Sequence, residues 1–83
     1  MCTIYSFDRK SFEDNWQEIQ TTIREDALYN SDGFSLITAG DTSLDATVLR
    51  TMNLEAILTQ LNNDDTWTRF WLHLRMATTA AVG

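Results

Sequence analysis

A chain of 83 residues with 43% apolar and 11% aromatic side chains reads as one small folded domain spanning 1–83, too apolar for a disordered segment. A formal net charge of −6, with only six Lys and Arg, opposes binding to a nucleic-acid backbone. No stretch approaches the ~20 apolar residues of a membrane span, no basic-then-apolar leader opens the chain, and a single cysteine excludes an intrachain disulfide framework. The expectation is a protein of the cytoplasm (the host's, if phage-encoded) that binds neither membrane nor nucleic acid. The acids are scattered from Asp8 to Asp65, which suits a solvated surface better than a mimic of DNA.

Residues 2–7 alternate as a strand, with Cys2, Ile4 and Ser6 on one face and Thr3, Tyr5 and Phe7 on the other. Ser11 followed by Asp14 resembles a capping box opening a helix over 12–28, whose apolar stripe is Phe12, Trp16, Ile19, Ile23 and Ala27. Asn30-Ser31-Asp32-Gly33 is a turn by composition, Phe34 to Ala39 a strand, and 46–51 a second hairpin strand. Asn53 caps a helix bearing Leu54, Ile57, Leu58 and Leu61, and Asn62 to Asp65 ends it. From Thr68 to Ala77, Phe70, Leu72, Leu74 and Met76 alternate with Arg69, Trp71, His73 and Arg75. The order predicts an α+β fold: an antiparallel sheet with two helices packed on it.

Cys2 is the residue with most chemical potential. Aminopeptidases remove an initiator methionine that precedes a small residue, and removal of Met1 would put a thiol and a free α-amino group on one residue. That pairs a nucleophile with a base titrating near ~7.7–8.0. The alternative is a small apolar side chain that opens a strand. Arg75 shares a strand face with His73, and its planar guanidinium suits bidentate capture of a carboxylate, or else pairs with a surface acid. His73 is the only histidine. With one cysteine it supplies no metal-ligand set, so neither metal nor cofactor is expected. A Cys/His dyad competes here with a hydrogen-bonded structural histidine. Trp71 faces away from Phe70, Leu72 and Leu74, so it needs a second cover. With Trp67 it marks a candidate surface for a protein partner or a second copy of the chain.

Three blocks, in order and at matching spacing, resemble the N-terminal portion of class II glutamine amidotransferase-like proteins, of the N-terminal-nucleophile hydrolase superfamily, in their short phage and bacterial forms. They are Met1-Cys2; Asn30-Ser31-Asp32-Gly33-Phe34-Ser35, against Asn-x-Asp-Gly-Phe-Gly; and His73-Leu74-Arg75-Met76-Ala77-Thr78, against His-x-Arg-x-Ala-Thr. The resemblance implies that Cys2 is the catalytic nucleophile, with its α-amino group as base. It also implies that Arg75, beside His73, anchors the α-carboxylate of glutamine or a related amide, and that the fold is a truncated layer of that superfamily. Ser35 stands where the family has glycine, and Thr79-Ala80 where it often has His-Gly. The family's later Asn-Gly pair, whose groups build the oxyanion hole, has no counterpart in this sequence. Such donors are worth about 10²–10³ in rate apiece. Two expectations follow: a fragment or shortened homologue that hydrolyses amides through Cys2 if active, and, alternatively, a non-enzymatic, small, acidic phage-type protein that docks on a host protein.

Overall fold

The computed structural model describes residues 3–41 and 46–76. Strand β1 (Thr3–Asp8) runs directly into helix α1 (Arg9–Ala27); strands β2 (Phe34–Ala39) and β3 (Thr47–Thr51) form a hairpin; helix α2 (Leu54–Asn63) leads to strand β4 (Arg69–Leu74). The α+β architecture expected from the sequence is the one observed, four antiparallel strands in one sheet with two helices.

The sheet order is β1-β4-β2-β3, and every neighbouring pair is antiparallel. β1 and β2 both oppose β4, so they run parallel to each other with β4 between them, and α1 is the crossover. β3 and β4 likewise flank β2, with α2 as their crossover. Two split β-α-β units therefore interlock, and β4, the last described strand, lies in the middle of the sheet.

Strand alternation sorts the side chains onto two faces. Tyr5, Phe7, Phe34, Leu36, Thr38, Leu49, Phe70, Leu72 and Leu74 face the helices, and Phe70, Leu72 and Leu74 on β4 are fully buried. Phe12, Ile19 and Ile23 of α1 and Ile57, Leu58 and Leu61 of α2 close the core over them. These are residues of the two apolar stripes read from the sequence. Among the described residues the opposite sheet face carries no helix.

Helix α1 starts three residues before the sequence suggested, and Ser11 is not its cap. Asp8 ends β1 in extended geometry, and its Oδ1 accepts the Ser11 amide at 2.8 Å. A strand that passes into a helix without a loop leaves its last residue to do the capping. Inside the helix Asn15 departs from helical geometry (φ −130°, ψ 24°) while its Nδ2 donates to the Ser11 carbonyl four residues back, at 3.1 Å. The side-chain amide thus supplies a donor where the regular ladder breaks. Asn53 caps α2 as expected, accepting from Glu55 N at 3.0 Å. β4 is shorter than the 68–77 span: pairing continues past Leu74 only through Arg75 and the Asp32–Gly33 turn. Ala77 and the residues after it lie outside the described residues.

Candidate functional site

One corner of the sheet holds two of the five site residues singled out by sequence, His73 and Arg75. Thr3, Leu74, Phe34 and Thr51 lie in register across all four strands. One step outward, Arg75 N donates to Gly33 O at 2.9 Å and Asp32 N donates to Arg75 O at 2.7 Å. Gly33 has φ +139°, which only glycine adopts without strain, and this turns the chain out of the Asp32–Gly33 bend into β2. One step inward on the open face, Ile4, His73, Ser35 and Arg50 are aligned across the strands. His73 is half-buried there between Ile4 and Ser35; Arg75, two residues further along β4, is exposed. Cys2 lies outside the described residues. Its chain neighbour Thr3 pairs with Leu74, the neighbour of Arg75.

The helix side of the same corner holds a polar cluster. Tyr5 Oη donates to Asp26 Oδ2 at 2.7 Å, Asn30 Nδ2 donates to Asp26 Oδ1, and Asn30 Nδ2 lies 3.4 Å from Thr3 Oγ1. Burial, then the hydrogen bond to Asp26 and its negative charge, push the Tyr5 hydroxyl up to about 12. Burial works to raise the Asp26 carboxyl, but hydrogen bonds from Tyr5, Thr3 and Asn30 outweigh it and hold the group below the usual carboxylate range. Asn30 is buried at 6% exposure, and its Oδ1 has no hydrogen-bond partner among the described residues.

The two tryptophans part company. Trp71 stands on the open face, 38% exposed, in a row with Ser6, Ile37 and Val48. Trp67, expected beside it at a partner surface, is instead 2% exposed in the core and offers a partner nothing. Its Nε1 donates to the Leu61 carbonyl at 3.3 Å, and its ring meets Phe12 and Phe70 edge-on. Arg9 lies over that ring at 3.7 Å from the centroid and donates to the Trp67 and Asp64 carbonyls at 3.0 and 2.8 Å. A tryptophan just after a helix end closes the core there and brings an arginine onto the helix's last carbonyls.

The six cations divide sharply by what they touch. Arg9 caps α2, Lys10 pairs with Asp14, Arg24 pairs with Glu55 to tie the helices, and Arg69 Nη1 donates to Ser6 Oγ at 3.0 Å. Among the described residues Arg50 and Arg75 make no ion pair or side-chain hydrogen bond. Both line one shallow depression of about 300 Å³ at the corner, with Gly33, Ser35 and Met52. Arg50 and Ser35 escaped the sequence reading. Only the register places Arg50 across Ser35 from His73. The larger hollow, about 470 Å³ beside Thr38, Thr66 and Trp67, has one charged group among the described residues, Asp64, whose Oδ1 already accepts from Thr66.

Among the described residues no cluster of three His, Cys, Asp or Glu could hold a metal ion, and no helix is long and apolar enough to cross a membrane. No protein-family model, curated protein or solved structure matches the chain.

Proposed function

We propose that this chain is a layer of a class II glutamine amidotransferase-like amide hydrolase, with Cys2 as nucleophile and Arg75 as the anchor for the substrate carboxylate. One observation carries the reading. Two of the three blocks of the resemblance, far apart in sequence, have described residues that meet at one sheet corner, Asp32–Phe34 of the Asp-Gly-Phe turn and His73–Arg75, and Thr3, the residue that follows Met1-Cys2, pairs with Leu74 beside them. Arg75 is exposed there with its guanidinium unspent, and Asn30, whose Nδ2 lies 3.4 Å from Thr3 Oγ1, keeps a buried Oδ1 without a partner among the described residues.

In this reaction the α-amino group of processed Cys2 takes the thiol proton, and the sulfur attacks the amide carbonyl carbon. The tetrahedral adduct collapses with cleavage of the C–N bond, and the departing nitrogen leaves as ammonia carrying that proton. Water then attacks the thioester, releasing the carboxylic acid and restoring the thiol. Arg75 holds the substrate by charge-assisted bonds and takes no proton.

The test is mass spectrometry of the purified chain before and after incubation with 6-diazo-5-oxonorleucine, an electrophilic glutamine analogue. The expected result is loss of Met1 and one adduct on Cys2, weakened by Arg75→Gln and absent in Cys2→Ser. Retained Met1 with no adduct overturns the reading.

A second reading, a non-enzymatic protein that docks on another through its sheet, is favoured by the uncovered outer face. Ile4 is 69% and Val48 56% exposed beside Trp71 and Ile37. It gains if Cys2 proves inert while Trp71→Ser abolishes a concentration-dependent rise in sedimentation coefficient.

A further inference from the structure

We infer that Arg50 and Arg75 together form an anion site on the open corner of the sheet, and that its ligand is a small organic dicarboxylate. The inference starts from the account of the cations. Four of six are committed to capping, ion pairs or a hydroxyl, and the two that remain line the same depression. Two guanidinium groups that are not spent on the protein and that line one concave surface give it a locally positive field that draws an anion.

The ladder sets the spacing. Arg50 on β3 and His73 on β4 are both opposite Ser35 on β2, and Arg75 is two residues beyond His73 on the same face. Two strand spacings across and one two-residue step along put the two arginine Cα atoms roughly 12 Å apart. Long side chains leaning inward from that separation hold one carboxylate each at the two ends of a short carbon chain. A single carboxylate would have to draw both to one point. Ser35, half-buried on the strand between theirs, lines the depression with a hydroxyl that can donate, and Gly33 adds no side chain to it. The pair of guanidinium forks selects planar carboxylates in a way two ammonium groups would not. This goes beyond the hydrolase reading, whose glutamine carries one carboxylate, and it does not depend on Cys2.

The test is a ¹H–¹⁵N NMR titration of the intact chain with glutarate, with butyrate and inorganic phosphate at matched ionic strength. Glutarate is expected to shift the Gly33, Ser35 and Arg75 amides saturably and to bind at least about tenfold more tightly than butyrate, the difference of one charge-assisted contact. Arg50→Gln and Arg75→Gln should each weaken glutarate by about the same factor. Both residues are exposed, and the unshifted remainder of the spectrum reports that the fold is kept. Arg69→Gln, on the same face but bonded to Ser6, should leave the affinity unchanged. Equal affinity for butyrate, a preference for phosphate, or an Arg50→Gln variant that binds like the parent overturns the proposal. Because Cys2 alkylation is read separately by mass, failure here and failure of the hydrolase reading are distinguishable.

Discussion

Asp26 shows how one buried-side carboxylate can organise a corner of a small fold. It accepts from Tyr5 on the edge strand and from Asn30 at the turn, so β1, the end of α1 and the entry to β2 share one anion. The pH dependence follows in sign. Tyr5 has its hydroxyl raised from 10.0 to about 12, so its contribution is complete below about 10 and is lost as the pH climbs toward about 12. Asp26 has its carboxyl lowered, so its contribution is present above the usual carboxylate range and fades on acidification. Tyr5→Phe should cost about 1 kcal/mol near neutrality, a partly solvent-screened version of a bond to a charged acceptor. It should also flatten the fall in urea midpoint between pH 10 and 12. An unchanged alkaline slope in the variant would show that Tyr5 is not its source.

At the level of elements, the crossovers are held by ends rather than by length. α2 has only ten residues, too short to persist alone, so its caps matter more than its propensity. Asn53 closes its N-terminus, and Arg9 closes its far end from another element. Asn53→Ala should lower stability by about 1 kcal/mol in chemical denaturation. The loss should show first as faster amide exchange in α2, leaving β4 protected. Sequence periodicity placed both helices and all four strands to within three or four residues at each described end, because the apolar stripes are local properties of the chain. It misplaced the α1 cap, because Ser11-x-x-Asp14 and Asp8-x-x-Ser11 compete for one helix start. Only the direct strand-to-helix passage decides between them.

For the whole molecule, the decisive property is that, among the described residues, one sheet face is packed and the other is open. The most telling comparison is between neighbours on β4. Leu72 is fully buried at the centre of the core, and its truncation to alanine should cost about 2–5 kcal/mol. A domain of this size has only a few kcal/mol of margin, so that variant should be largely unfolded by circular dichroism. Trp71→Ser, one residue earlier, removes a larger side chain from the open face and should lower the unfolding free energy obtained from urea denaturation by less than about 1 kcal/mol. Equal losses at the two positions would mean that the outer face is covered in solution. Charge is divided in the same sense. Glu13, Asp14, Glu18 and Glu25 are exposed along α1, while Arg50, Arg69, Arg75 and His73 share the sheet's outer face. An acidic chain thus presents a locally basic surface, which net charge could not reveal.

By itself the sequence determined the elements, their inward faces and the candidate carboxylate anchor, since periods of 2 and 3.6 and the geometry of a guanidinium are local facts. Alternation alone also sets Trp71 on the sheet face opposite Phe70 and Leu72. Only the tertiary structure decided that β4 sits between β1 and β2, that Trp67 is core, and that Arg50 shares a depression with Arg75. Those are pairings of residues from distant parts of the chain. Which strand lies beside which follows from how two helices can cover one sheet, a property of the folded whole that no local pattern encodes.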